Sequence, residues 1–137
     1  MNRYSFEDLS IGMKESFSRE VTASMVEDFC RMTGDVNPLH TDEDFARGKG
    51  FKDRVVYGLL TTSFLSTLAG VYLPGERSLI REVDVKMKKP VFVGDILTVT
   101  GEVENIREEL GFFVMKVSIV NQNGDKVMRG TMQMGII

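Results

Sequence analysis

Nineteen residues in a row, from Val55 to Leu73, carry no charge, and this run constrains the chain more than any other stretch. It reads Val-Val-Tyr-Gly-Leu-Leu-Thr-Thr-Ser-Phe-Leu-Ser-Thr-Leu-Ala-Gly-Val-Tyr-Leu and is apolar or small on every face. A helix built from it must be wrapped on most sides. The hydroxyls of Thr61, Thr62, Ser63, Ser66 and Thr67 dilute it too far for a membrane span, and no other apolar run approaches that length. The expectation is a buried central helix of about fifteen residues, stopped near Gly70 and by Pro74-Gly75.

The wrapping has to come from the rest of the chain. From Leu79 onward the hydrophobic period changes from helical to two. Arg81, Val83, Val85 and Met87 alternate with Glu82, Asp84, Lys86 and Lys88. After a turn at Gly94-Asp95, Leu97, Val99, Gly101 and Val103 alternate with Thr98, Thr100, Glu102 and Glu104. Phe113, Met115, Val117 and Ile119 share a face of the next strand. Asn123-Gly124 is a hairpin signal leading into Val127 to Ile136, where Met128, Met132, Met134 and Ile136 form one face. With a short strand from Lys14 to Val21, this makes an α+β chain: about five antiparallel strands around one helix. Such a sheet leaves an edge unpaired. The Phe112–Val120 segment is a plausible pairing edge.

Between the first strand and the central run, Thr22 stands in N-cap position before a helix that carries Met25, Val26, Phe29 and Met32 on one face and ends at Gly34. Then comes Gly34-Asp35-Val36-Asn37-Pro38-Leu39-His40, which holds the only histidine of the chain. Pro38 biases Asn37 away from the helical region. On a regular helix, residues five apart would stand about 140° apart around the axis. A bent loop can instead bring Asp35 and His40 towards one point, where a carboxylate and an imidazole form a candidate acid/base pair. From spacing alone, a loop histidine capping the next helix, with Asp35 in a local turn, stands beside that reading. Thr41 or Asp42 can start a short helix through Phe45-Ala46. Residues 47 to 55, glycine-rich and basic, read as a loop.

Gly34-Asp35-x-Asn37-Pro38-x-His40, with Ala46 six residues on, resembles the signature of the MaoC-like, (R)-specific enoyl-CoA hydratases. Val56-Tyr57-Gly58-Leu59-Leu60, Ser66 and Tyr72-Leu73-Pro74-Gly75 extend the resemblance over nearly the whole chain. One departure stands out: many members carry histidine before the glycine matched to Gly58, where this chain has Tyr57. The resemblance implies a hot-dog fold, in which the sheet wraps a helix over Val56–Val71 and edge strands pair two copies into a homodimer. It also implies addition of water to a trans-2-enoyl thioester, of coenzyme A or acyl carrier protein, or the reverse dehydration, with the (R)-3-hydroxyacyl thioester as product. Asp35 and His40 would then grip one water between them, and which is base and which acid stays open, because two coupled groups titrate as a pair.

Gly58 is the candidate oxyanion donor. It begins the central helix, where free N–H groups and the positive end of the helix dipole point outward, and lacks a Cβ to block approach. A glycine needed only to pack the helix start against the sheet is the competing account. Asn37 and Ser66 are candidates for a supporting layer, Asn37 by bonding backbone and Ser66 by facing the site two turns into the helix. Leu39, Phe51 and Leu65 are candidate walls of an acyl pocket. Arg47, Lys49, Lys52 and Arg54, and separately Lys86, Lys88 and Lys89, could meet coenzyme A phosphates or an acidic carrier protein.

Several classes are set aside. A net charge of −3 gives no field that would attract nucleic acid. The single cysteine, Cys30, forms no intrachain disulfide, and its place on an apolar helix face makes it a packed thiol. The crowded Asp35, Asn37, His40, Asp42 and Asp44 lack the spacing of a calcium loop, and one histidine cannot build the usual zinc sets, so neither metal nor cofactor is expected. The N-terminus has no signal-peptide core, so the expectation is one cytosolic domain over residues 1–137 with no membrane contact. Two rival functions share the fold. A hot-dog thioesterase usually carries a carboxylate on or near the central helix, and residues 56 to 73 contain none. A non-catalytic acyl-thioester binder has no need of two proton-handling groups.

Overall fold

In a computed structural model that describes residues 1–137, the chain order is β1 (Lys14–Glu20), α1 (Ala23–Thr33), α2 (Pro38–Thr41), α3 (Glu43–Gly48), α4 (Gly58–Thr67), β2 (Ser78–Met87), β3 (Ile96–Arg107), β4 (Phe112–Val120) and β5 (Lys126–Ile136). The five strands form one antiparallel sheet in the order β1-β3-β4-β5-β2, wrapped around α4. This is the hot-dog arrangement, of class α+β. No helix is long and apolar enough to cross a membrane.

Local chemistry sets the boundaries. The Thr22 hydroxyl accepts the Met25 N–H at 3.2 Å, which caps α1. Gly34 ends that helix in the left-handed region at φ 75° and donates to the Cys30 carbonyl at 2.8 Å. Asp42 caps α3 by accepting the Phe45 N–H at 2.9 Å. The inward residues of β3 and β4, namely Leu97, Val99, Val103, Phe113, Met115 and Ile119, are all buried. They face Leu60, Phe64, Leu65 and Leu68 from the central run. The run itself continues past α4 as a wider turn of π-type, Leu68–Tyr72.

Four details differ from the sequence reading. Phe112–Val120 is not an edge: as β4 it is bonded to β3 on one side and β5 on the other. The free edges are β1 and β2. Met32 is exposed rather than packed on the α1 face, because α1 meets the core only through Val26, with Met25, Phe29 and Cys30 half-buried. The central helix is not wrapped all round: Leu59 is 66% exposed, and Ser63 and Ser66 lie open on the same side. Finally, β2 does not bury one face. Leu79, Ile80, Val83 and Met87 all remain exposed at this edge, where no further strand covers them.

Candidate active site

The turn from α1 into α2 is shaped by short-range side-chain-to-backbone bonds. The Asp35 carboxylate accepts the Asn37 N–H at 3.0 Å, and the Asn37 side chain accepts the Leu39 N–H at 3.0 Å. These successive turns suit Asp and Asn, whose short side chains reach their own backbone two residues on. Pro38 then opens α2 at a position where its missing N–H costs nothing. His40 therefore sits on a short helix rather than on a loop, in its last turn.

That turn aims the imidazole. His40 Nδ1 lies 2.6 Å from the Val55 carbonyl oxygen. A carbonyl only accepts, so the neutral ring carries its proton on Nδ1, and Nε2 is left with a free lone pair. The Leu39 carbonyl accepts the Val55 N–H at 3.0 Å, so one side-chain and one backbone bond, both to Val55, clamp α2 to the segment leading into α4.

His40 opens onto a cleft of about 310 Å³, shared with Phe51, Gly58, Thr61, Met87 and Met128. At its floor, α4 begins. Gly58, Leu59 and Leu60 donate no backbone hydrogen bond, and the first amide of the helix to do so is Thr61, to the Tyr57 carbonyl. Three N–H groups and the positive end of the helix thus remain unspent beside the cleft. The room left by the missing Cβ at Gly58 is not empty: Met87 lies across it, and a Cβ built there would fall 2.3 Å from its sulfur. A larger hollow of about 490 Å³ lies on the outer face of the sheet, but Val117 is its only hydrophobic lining residue. It offers no apolar wall for an acyl chain, so the smaller cleft is the candidate site.

Tyr57 ties the parts together. It is 2% exposed, and its hydroxyl donates to the Asp35 carbonyl at 2.5 Å. Its ring lies against the His40 imidazole, with centroids 4.1 Å apart, and against Phe29 at 4.8 Å. Burial pushes its phenol up to about 12, aided by the neighbouring Cys30 thiol and Asp35 carboxylate. It therefore remains a donor at any working pH.

The candidates from the sequence divide accordingly. His40 and Gly58 meet in one cleft. Asp35 shares no hydrogen bond with His40 and does not line the cleft; its side chain is exposed, and it is linked to His40 through Tyr57 and, locally, through Asn37, whose N–H donates to the Asp35 carboxylate and whose carbonyl accepts the His40 N–H. The Asn37 side chain accepts the Leu39 N–H just after Pro38, and its carbonyl accepts the Thr41 hydroxyl at 3.4 Å. Ser66 is not brought to the cleft: it stands on the open side of α4, with no hydrogen-bond partner. Among the proposed walls, Phe51 lines the cleft, whereas Leu65 is buried in the core and Leu39 lies outside it. The basic residues also separate. Lys88 and Lys89 reach the cleft, Lys89 being paired with Asp125 at 2.9 Å, while Lys86 opens onto the opposite face of the sheet. Lys52 stacks over Phe92 and Arg47 pairs with Glu43. No three His, Cys, Asp or Glu side chains come together closely enough to ligate a metal ion.

Sequence reasoning noticed Tyr57 only as a departure. Its signal was a large aromatic at the N-cap of a helix, where Ser, Thr, Asp or Asn is preferred and where it makes no capping bond.

Comparison with known proteins places these features in a family context. The family model described as MaoC like domain matches residues 8–123. An (R)-specific enoyl-CoA hydratase of Aeromonas caviae is 35% identical over 92% of this chain and 94% of its own length. A mitochondrial 3-hydroxyacyl-[acyl-carrier-protein] dehydratase of Solanum lycopersicum is 27% identical over 89% of this chain and 74% of its own. The solved structure of the (R)-hydratase from A. caviae involved in PHA biosynthesis superimposes with a TM-score of 0.91 at 33% identity, covering 96% of this chain and 99% of that one.

Proposed function

The chain belongs to the MaoC-like domain family, and from that premise we infer that it is a hydro-lyase acting on acyl thioesters. It adds water to 2-enoyl thioesters to give (R)-3-hydroxyacyl thioesters, or runs the reverse dehydration. The observation that carries this reading is the placement of His40: its Nδ1 is bonded to the Val55 carbonyl, which leaves Nε2 free, and the ring lines the same cleft as the unpaired amide of Gly58.

Hydration needs a water deprotonated as it attacks C3, a proton delivered to C2, and a donor for the charge that gathers on the thioester oxygen. Asp35 and His40 supply the first two through one shared water. Such general acid–base help contributes ~10²–10⁴-fold. One water held on one face delivers both atoms from that side, which accounts for a single stereochemical outcome. The Gly58 N–H, at the positive end of α4, receives the thioester oxygen as it becomes an enolate. Met87 lies over Gly58 and is 54% exposed, so its tip swings aside as the thioester seats. Lys88 and Lys89 at the cleft meet the anionic carrier, whether coenzyme A phosphates or an acidic carrier protein.

The working unit is a homodimer joined through β2. An edge strand carrying Ile80 and Val83 in the open presents unpaired backbone and apolar side chains together, and pairing with a second copy satisfies both.

Crotonyl-CoA, with enoyl absorbance and free thiol followed together, tests the activity. Loss of absorbance without thiol is the expected result. Thiol release would assign a thioesterase instead, and no change in either would reduce the protein to a binder.

A further inference from the structure

We propose that Tyr57 is a positioning residue for the reaction, holding the Asp35 segment and the His40 ring in register with the start of α4. The proposal rests on the assignment of Asp35 and His40 made above, and adds a residue that neither touches substrate nor lines the cleft.

Three contacts converge on this one side chain. Its hydroxyl donates to the Asp35 carbonyl across 22 residues of sequence. Its ring covers the imidazole of His40 with planes 34° apart. Its backbone is the N-cap of α4, so it is covalently next to the Gly58 amide. The Asp35 segment has little else to hold it. Its remaining bonds are local, to Thr33 and Asn37, and its neighbours Gly34 to Pro38 are all exposed. A segment whose only long-range tether is one phenol is fixed by that phenol. Phe29 and the Cys30 side of α1 back the ring, so the tether is anchored in the core rather than in another loop.

Removing the tether moves the Asp35 carboxylate relative to His40 without altering either group. Misplacement of a catalytic group by 1 Å can cost ~10²-fold. Tyr57→Phe keeps the ring and deletes the hydroxyl, and is expected to lower kcat by ~10- to 100-fold. KM should stay within about twofold, because no cleft-lining atom changes. Tyr57→Leu, which loses the ring as well, should fall further.

His40 is the only histidine, so tag-free protein gives one set of imidazole ring resonances. Stacking at 4.1 Å should place them upfield of a free imidazole in the wild type. They should stay upfield in Tyr57→Phe and return towards the free position in Tyr57→Leu. Wild-type resonances at the free position would overturn the proposal without any variant having to fold. So would a folded Tyr57→Phe protein with wild-type kcat, or one whose defect lies in KM alone. If Asp35→Asn and His40→Ala abolish hydration while Tyr57→Phe does not, the pair stands and Tyr57 is dismissed. If those two variants turn over normally, the pair falls and the proposal falls with it.

Discussion

Replacing Gly58 by alanine separates a catalytic amide from a packing requirement. The new Cβ would lie 2.3 Å from the Met87 sulfur and 2.7 Å from its terminal carbon. Ordinary contacts run to about 3.5–4.0 Å, so the methionine tip must retreat by roughly 1.5 Å. In a closed core such overpacking costs about 1–3 kcal/mol. Here the neighbour is the flexible end of a side chain that is 54% exposed, so it can turn into solvent. Alanine also gains up to about 1 kcal/mol over glycine as a helix former. The two effects leave stability within about 1 kcal/mol of wild type, a shift of about 4 °C in melting temperature at most. The catalytic effect is of another size. If the Gly58 N–H receives the enolate oxygen, a methyl in the approach path removes a donor whose loss typically costs ~10²–10³ in kcat. Steady-state hydration of crotonyl-CoA beside a thermal melt reads both. Met87→Ala in the same background removes the clash, and activity should not return. A Gly58→Ala protein with wild-type kcat, or full recovery in the Gly58→Ala/Met87→Ala protein, would refute the donor role.

Three further outcomes follow from the geometry. Ile80→Lys and Val83→Lys put charge on the β2 edge and should convert a homodimer into a monomer by light scattering; an unchanged mass in both would move the interface elsewhere. Asn37→Ala removes the cap of α2 and should cost about 0.5–2 kcal/mol in denaturant titration, with kcat falling as well, since His40 lies on that helix; unchanged stability would show the cap to be idle. The Tyr57 phenol, held protonated to about 12 in the folded state against 10.0 ordinarily, contributes stability that is fully present below pH 10 and lost as pH rises through 12. Its loss should remove about 2–3 kcal/mol over that window, and Tyr57→Phe should flatten this part of the pH–stability curve; an unchanged curve would contradict the assignment.

The parts of this molecule governed by neighbours in sequence were legible from it. Thr22 and Gly34 bound α1, period-two alternation marks β3 and β4, and Asn123-Gly124 marks the turn between β4 and β5. His40 and Gly58 were legible because their chemistry is rare in the chain: one histidine, and a glycine at the head of an uncharged run. What failed depends on distant pairing. The position of β4 in the middle of the sheet follows from partners at both sides, and its own residues read the same at an edge. Ser66 follows the helical period from Gly58, yet which side of α4 meets the cleft is decided by how the sheet curls past it. Tyr57 acts through Asp35 and His40, 22 and 17 residues away, and no local pattern encodes such a contact.

The shared water between Asp35 and His40 is tested most directly by a double-mutant cycle on crotonyl-CoA hydration. Asp35→Asn and His40→Ala are each expected to lower kcat by ~10²–10⁴-fold, with the fold retained by circular dichroism. Because both act on one water, the double variant should be scarcely slower than the worse single one. Losses that multiply would show that the two residues serve separate steps, and a single variant that hydrates at the wild-type rate would remove that residue from the reaction.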